Sequence, residues 1–197
     1  MSTKSIKKLI LELSRLPGVG EKSAKRYAFF ILNQNDEYAK NLSEAIINVK
    51  KYVKKCPICH SVCEDELCEF CSDRTRDHSI ICVVEENKDI LTIENTNKYN
   101  GVYHVLEGTL NPLANVTPDK LNINTLIERI NNSDVKEVIL ALSTGIEGQS
   151  TSMYLLQILK KFEIKITKLA SGIPIGSNIE FADIPTMAEA LEGRIKL

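Results

Sequence analysis

The chain has 197 residues, of which 43% are hydrophobic and 26% are charged. This composition suits one or two compact domains with a hydrophobic core. No apolar run approaches the roughly 18 residues of a membrane span, and the first residues carry no secretory signal, so we expect a protein of the reducing cytoplasm.

The net charge of −1 conceals two parts of opposite sign. Residues 1–55 contain 12 Lys and Arg against 5 Asp and Glu (+7), and residues 56–197 contain 13 against 21 (−8). A basic N-terminal segment on an acidic body indicates that the first segment binds phosphate. A solvated basic surface is the alternative, and charge alone leaves it open.

Apolar residues recur at helical spacing in three stretches of the N-terminal segment. The first runs from Ile6 to Leu13, the second from Ala24 to Ile31 and the third from Leu42 to Val53. This spacing predicts three amphipathic helices that pack against one another as a small domain, residues 1–54.

The first two predicted helices are joined by the sequence Leu16-Pro17-Gly18-Val19-Gly20. Its two glycines permit a tight turn that brings backbone N–H groups close to a phosphate, and the next helix directs its positive end to the same place. Lys22, Lys25 and Arg26 add charged contacts that do not read bases. We therefore predict a DNA-binding helix-hairpin-helix that uses Gly18, Gly20 and these three side chains. An ordinary turn with a glycine cap is the alternative.

Cysteines form two C-x₂-C knuckles, Cys56-Pro57-Ile58-Cys59 and Cys68-Glu69-Phe70-Cys71, with eight residues between them. Four sulfurs at this spacing predict a tetrahedral site for one Zn²⁺ that has no open position and is therefore structural. His60 is a substitute ligand that the complete sulfur set does not need, and we predict that Cys63 is a free thiol. The predicted zinc finger spans residues 55–77, and a redox role is the less favoured alternative.

Apolar runs alternate with helical patterns from Ser79 onward. The runs at 80–84, 102–106, 138–142 and 164–166 are typical of strands buried on both faces, and Cys82 is predicted to be a buried hydrophobe. Helical patterns lie near 88–96, 119–131 and 150–161. The alternation predicts an α/β domain with a parallel sheet, residues 78–173. A C-terminal extension, residues 174–197, carries one short helix from Pro185 to Leu191.

Two acids follow predicted strands of this sheet. Glu85 ends the first strand, and the stretch Ser143 to Gln149, which contains Glu147, follows the third. Ligands of parallel α/β sheets collect at such carboxyl ends, but a two-metal phosphoryl-transfer site needs further carboxylates. Asp89 is the spare acid nearby, so we expect no catalysis and interpret Glu85 and Glu147 as an acidic patch for a basic protein partner. A phosphoryl-transfer enzyme of the primase or nuclease type is the alternative.

Taken in order, these elements resemble the RecR family of bacterial recombination mediators, over essentially the whole chain. The resemblance implies an α+β multidomain protein with a helix-hairpin-helix, a four-cysteine zinc finger, a Toprim α/β domain and a short C-terminal extension. Its most specific residues are Leu16-Pro17-Gly18-Val19-Gly20, Cys56, Cys59, Cys68, Cys71, Ile81-Cys82-Val83-Val84-Glu85, Glu147-Gly148 and Gly172-Ile173-Pro174-Ile175-Gly176.

The resemblance also implies a function. Members of this family are non-enzymatic DNA-binding proteins that act with RecO and RecF to load recombinase at gapped DNA. A ring-shaped homotetramer is implied, with hairpins lining the hole and binding single- and double-stranded DNA with little sequence preference. Toprim enzymes carry Asp-x-Asp where this chain has Ser143-Thr144-Gly145, and the family usually has Asn-Pro and a second acid where Ser143-Thr144 and Gln149 stand. We predict that Glu85 and Glu147 face RecO.

Overall fold

The computed structural model describes residues 3–195, and the chain divides into two compact units, Met1–Val53 and Lys54–Leu197. The first unit consists of α1 (Lys4–Ser14), α2 (Glu21–Leu32) and α3 (Asp36–Tyr52). Side chains of Thr3 and Asn35 cap the first and third of these helices by accepting a backbone N–H of the first turn. The finer predicted limits at 55–77, 78–173 and 174–197 stay predictions.

Helix α3 is covered less completely by the other two helices of the first unit than the sequence indicates. Helix α1 packs against α2, where the fully buried Ala24 and Ala28 allow a close approach. Helix α3 buries none of its residues, and Ile46 and Val49 are about 60% exposed. The predicted apolar stripe on α3 therefore exists, but no element of this unit covers its middle and end.

The second unit begins with a short antiparallel pair and continues with a parallel sheet. The pair is β1 (Lys54–Lys55) and β2 (Val62–Cys63), followed by α4 (Glu69–Ser72). The sheet has the order β4-β3-β5-β6, and all its neighbouring strands are parallel, which confirms the predicted sheet. Its strands are β3 (Asp77–Val84), β4 (Gly101–Val105), β5 (Glu137–Ala141) and β6 (Lys165–Lys168).

Four longer helices complete this unit: α5 (Asn87–Glu94), α6 (Ile123–Asn131), α7 (Ile146–Leu159) and α8 (Ile184–Glu192). Helix α6 begins later than predicted, because Pro118 starts a separate 3₁₀ turn and Leu121 is extended. Short 3₁₀ helices at Pro112–Ala114 and Ile179–Phe181 were not predicted. Of the helices between residues 3 and 195, none combines the length and hydropathy needed to cross a bilayer.

Each face of the sheet has a different cover. Val83 of β3 belongs to a core that also contains Leu126 of α6 and Leu155 of α7. Its neighbour Val84 belongs to a second core, together with Ile90 of α5 and the four knuckle cysteines. Since side chains alternate along a strand, these two cores lie on opposite faces. The zinc finger is therefore a layer of the α/β unit rather than an appendage.

Candidate metal centre and nucleic-acid interface

The sulfur atoms of Cys56, Cys59, Cys68 and Cys71 lie within 4.8 Å of one another, and all four residues are buried. Zinc with Zn–S bonds of about 2.3 Å holds its four sulfurs about 3.8 Å apart, so this cluster fits one tetrahedral Zn²⁺. Four thiolates complete the coordination and leave no position for water or substrate. One structural zinc per chain is thus confirmed.

Local hydrogen bonds shape both knuckles. In the first, Cys56 N–H donates to the carbonyl of Ser61 (2.7 Å) and His60 N–H donates to the carbonyl of Cys56 (3.0 Å). The chain reverses at His60, which has a left-handed φ of 62°. In the second knuckle Cys68 caps α4, and the N–H of Cys71 donates to its sulfur at 3.4 Å. Such donors stabilise a metal-bound thiolate.

Hydrogen bonds among the sulfurs also shift the pKa values of these thiols. Contacts with Cys59 and Cys71 lower the pKa of Cys68, because they stabilise its thiolate. The same contact with Cys68 raises the pKa of Cys59 to about 12, and contacts with Cys59 and Cys68 raise the pKa of Cys71. A divalent cation must displace the remaining protons, so its affinity falls as the pH falls.

The other two cysteines lie outside the cluster. Cys63 is half-buried on β2, and Cys82 is buried in β3, where desolvation raises the pKa of its thiol to about 12. Both placements agree with the sequence interpretation, in which the knuckle sulfurs alone complete the metal site.

A pair of histidines beside the first knuckle was not identified from the sequence. His60 is not a ligand: its Nε2 lies 2.8 Å from the hydroxyl of Thr125 at the start of α6. Its ring meets the ring of the fully buried His104 edge to face, with centroids 5.3 Å apart. Desolvation lowers the pKa of His104 to about 3, so this imidazole is neutral at physiological pH. His60 therefore connects the knuckle to β4 through His104 and to α6 through Thr125.

Backbone hydrogen bonds join the zinc finger to the edge of the sheet. The carbonyl oxygen of the ligand Cys59 accepts the N–H of Val105 in the edge strand β4, at 2.8 Å. On the other side, the N–H of Val62 in β2 donates to the side chain of Asn87 at 2.9 Å. The ligand residue Cys59 therefore takes part both in the metal site, through its sulfur, and in the hydrogen bonding of strand β4, through its carbonyl.

A charged network lies where the zinc finger meets the sheet. Arg76 donates two hydrogen bonds to Glu94 of α5 (2.9 and 2.6 Å), and the hydroxyl of Tyr103 donates to the same carboxylate at 2.5 Å. The guanidinium of Arg76 also lies 4.9 Å from the ring centre of Phe70 in the second knuckle. The hydrogen bonds from Arg76 lower the pKa of Glu94 and keep it ionised. Sequence reasoning missed this network, because its members are far apart and follow no periodic pattern.

The hairpin between α1 and α2 has the open backbone that the sequence predicts. Gly18 has a φ of +77°, where glycine is favoured, and Gly20 is the N-cap of α2. A Cβ atom at either glycine would meet no atom within 4 Å, so an approaching ligand has free access to this backbone. The first N–H groups of α2 have no acceptor within the helix, and its positive end attracts anions.

Three exposed cations lie on the first two turns of α2, but they differ in their surroundings. Lys25 forms an ion pair with Glu21 at 2.6 Å, and this hydrogen bond lowers the pKa of Glu21. Arg26 lies over the ring of Tyr27, with its guanidinium carbon 5.3 Å from the ring centre. Lys22 and Arg26 are four residues apart and share one side of the helix. Among the described residues, neither of these two has an acidic partner of the kind that Lys25 has in Glu21.

Helix α7 begins earlier than the sequence indicates. Gly145 is its N-cap, so the helix starts at Ile146 instead of near residue 150, and Glu147 lies in its first turn rather than in a loop. The buried Gly148 explains this start: a Cβ atom there would lie 2.2 Å from the carbonyl oxygen of Ser143. Glycine thus lets the first helical turn pack directly on the preceding chain. A Cβ at Gly145 would meet nothing closer than 3.9 Å.

Two of the acids predicted to lie at the carboxyl ends of the strands, Glu85 and Asp89, are held in separate interactions. Glu85 accepts the N–H of Ser143 at 2.6 Å and so joins the ends of β3 and β5. Asp89 accepts the N–H of Glu86 at 2.8 Å and belongs to the cap of α5. Within residues 3–195, the four cysteines are the single group of three or more side chains arranged to hold a metal. The two glutamates and Asp89 do not form such a group.

Comparison with known proteins gives matches along nearly the whole chain. Family models match as a RecR helix-hairpin-helix (6–50), a RecR four-cysteine zinc finger domain (53–73), a Toprim domain (79–170) and a RecR C-terminal region (172–195). Recombination protein RecR of Bifidobacterium adolescentis is 52% identical over 190 residues, which cover 96% of this chain and 95% of that protein. The proteins of the same name from Bifidobacterium longum and Paenarthrobacter aurescens are 49% and 47% identical over 96% of the chain.

Proposed function

The chain belongs to the RecR family of recombination proteins, and we propose that it is a DNA-binding mediator of recombinational repair without catalytic activity. In this proposal it acts with RecO and RecF to load recombinase at gapped DNA, as a ring-shaped homotetramer. The observation that carries the proposal is the hairpin of the first unit. Two open glycines and a helix N-terminus lie beside Lys22 and Arg26.

The hairpin suits binding to the DNA backbone rather than to base edges. Backbone N–H groups after Gly20 donate to a phosphate, and Lys22 and Arg26 neutralise its neighbours. Contacts of this kind carry no sequence information, so the hairpin binds single- and double-stranded DNA of any sequence. One hairpin makes few contacts, and several copies in one oligomer raise the overall affinity.

Two exposed apolar surfaces support the proposed tetramer. The first is the uncovered stripe on α3, with Ile46, Ile47 and Val49. The second lies in the C-terminal extension, where apolar side chains are 75% exposed or more: Ile175, Phe181, Ile184 and Ile195. Contiguous exposed apolar residues mark interaction sites, and a second copy of the chain is the occupant we propose for both.

The sheet edge suits a basic protein partner, for which we propose RecO. Glu85 follows β3 and Glu147 lies in the first turn of α7, and negative charge at these positions repels DNA phosphates. The lack of catalysis is supported by Ser143 and Gly145, which stand where Toprim enzymes have acids, and by Asp89, which caps α5.

Salt-dependent DNA binding tests the hairpin assignment. We expect Lys22→Ala and Arg26→Ala each to weaken binding to all sequences equally and to reduce the salt slope by about 1 per lost contact. Lys40→Ala is the matched control, since this exposed lysine belongs to α3 rather than to the hairpin or α2 and pairs loosely with Glu44 at 3.8 Å. Unchanged affinity of the double variant at Lys22 and Arg26 would refute the assignment.

A second experiment tests the proposed binding of RecO by Glu85 and Glu147. The double variant Glu85→Ala, Glu147→Ala should lose RecO binding while keeping its zinc and its oligomeric mass. The wild type should neither cleave nor synthesise nucleic acid with Mg²⁺. Such activity in the wild type, abolished in the double variant, would overturn the proposal in favour of a phosphoryl-transfer enzyme.

A further inference from the structure

An aromatic groove runs beside the hairpin helix of the first unit. Its volume is about 490 Å³, which lies in the range of small-molecule sites. Its lining combines three aliphatic side chains with Tyr27, Phe30, Tyr38 and Arg26. The three rings are 40–51% exposed, so each presents much of its surface to whatever occupies the groove.

The rings have defined orientations. Phe30 and Tyr38 meet at an interplanar angle of 86° with centroids 5.8 Å apart, an edge-to-face pair that holds both rings. The guanidinium of Arg26 lies over the third ring, that of Tyr27. The groove therefore offers aromatic surfaces and one cation, a combination that stacks on flat aromatic ligands which carry negative charge.

The groove continues the phosphate-binding ridge of α2. Lys22, Arg26 and Phe30 are spaced by four residues and follow one line along the helix. With a rise of 1.5 Å per residue, Phe30 lies about 12 Å along the axis from Lys22, a distance that a few nucleotides span. A strand that contacts the hairpin with its phosphates thus passes the mouth of the groove.

We propose that the aromatic groove binds an unstacked nucleobase of single-stranded DNA whose phosphates lie on Lys22 and Arg26. This inference rests on the proposed function and deepens it. The hairpin binds the backbone of either DNA form, whereas the groove binds a base that only a single strand presents, since the bases of a duplex are stacked inside. The protein then prefers single-stranded or gapped DNA over intact duplex. Every base has a stacking face, so this preference is independent of sequence.

Charge favours this occupant over a second copy of the chain. Residues 1–53 contain 10 Lys and Arg against 5 Asp and Glu. A symmetric contact between two such grooves would place Arg26 of each copy in the same desolvated interface, next to a like charge. A nucleic acid instead pairs the guanidinium with a phosphate.

The test compares two neighbouring phenylalanines. Phe30→Leu keeps apolar volume in the groove but removes the stacking face, and Phe29→Leu changes an equally exposed ring that does not line it. With a labelled oligothymidine, Phe30→Leu should bind about five- to 150-fold more weakly than the wild type, whereas its affinity for a duplex of equal length stays unchanged. The salt slope should also stay unchanged, because no phosphate contact is lost. Phe29→Leu should behave as the wild type.

Photo-crosslinking gives an independent readout on the wild-type protein, so it remains informative if Phe30→Leu fails to fold. Single-stranded DNA with 5-iodouracil, irradiated on the wild-type protein, should form adducts at Tyr27, Phe30 or Tyr38 in peptide mass spectra. Adducts elsewhere only, or equal affinities of the two leucine variants, would overturn the groove proposal. If Phe30→Leu instead lowers the oligomeric mass and weakens both DNA forms equally, a second copy occupies the groove. Failure of the wild type to bind any DNA would refute the proposed function itself.

Discussion

Removal of one knuckle sulfur should release the zinc and loosen the face of the sheet that the zinc finger covers. Structural zinc contributes an apparent ~10–16 kcal/mol in small peptides that fold only with the metal. Here the other face of the sheet keeps its own apolar core, so the loss falls on the zinc finger and on the face it covers. In Cys68→Ala this contribution is lost. Because the knuckle cysteines share one core with Val84 and Tyr103, the effect must extend from the loop into the sheet.

Two neighbouring amides make this effect measurable at single residues. The N–H of Val105 donates to the carbonyl of the zinc ligand Cys59, whereas the N–H of Leu106 donates to Val84 within the sheet. Without the zinc, the carbonyl of Cys59 is no longer held beside the N–H of Val105. An unsatisfied buried donor costs about 1–3 kcal/mol, so hydrogen exchange at Val105 should accelerate about five- to 150-fold more than exchange at Leu106.

The assay is native-state hydrogen exchange, combined with measurement of zinc per chain. Cys63→Ser is the control: it changes a cysteine of the same loop outside the cluster and should retain one zinc and full protection of Val105. The reasoning is refuted if Cys68→Ala still holds one zinc, or if its two amides exchange as in the wild type.

Three further predictions concern single positions. Gly148→Ala should destabilise the fold by about 1–3 kcal/mol in thermal unfolding. Gly145→Ala, whose Cβ has room, should cost less, about 0.5–1 kcal/mol, because alanine is a poorer N-cap than glycine. Glu94→Gln should cost about 1–3 kcal/mol in urea unfolding at neutral pH, because Arg76 loses its counter-charge. Because the pKa of Glu94 is lowered in the folded state, its contribution to the free energy of unfolding is fully present above the ordinary pKa of 4.5. The contribution is lost as the pH falls through the lower folded-state pKa, and there the wild type and the variant should have the same stability. Gly18→Ala should cost about 1–2 kcal/mol, because alanine is disfavoured at a φ of +77°, and should weaken DNA binding measured by anisotropy.

The zinc centre was predictable because its signal is local. Both knuckles lie within the 16 residues from Cys56 to Cys71, and the spacing within each fixes two sulfurs toward one point. What the finger packs against was not predictable. The contacts of Cys59 with Val105 and of Phe70 with Arg76 join segments whose pairing no periodicity encodes.

The start of α7 was misjudged for a related reason. Ser143, Thr144 and Gly145 are all acceptable turn or cap residues, so propensity alone does not choose among several starts. The choice depends on Gly148, which packs against the carbonyl of Ser143, and a close approach of two backbones has no sequence signature beyond one glycine. On α3, periodicity identified the apolar face correctly, but it carries no information on what covers that face.

The place of the zinc finger in the fold explains why a metal without an open coordination site belongs in a protein proposed to bind DNA. Helices α6 and α7, which have nine and 14 residues, cover one face of the sheet, whereas the other face has only the eight residues of α5. The knuckles supply the missing cover, with zinc ligation in place of a larger apolar core. That face includes Val84, which directly precedes Glu85 at the acidic edge. The zinc finger therefore packs on the end of the strand that positions Glu85 of the proposed partner surface.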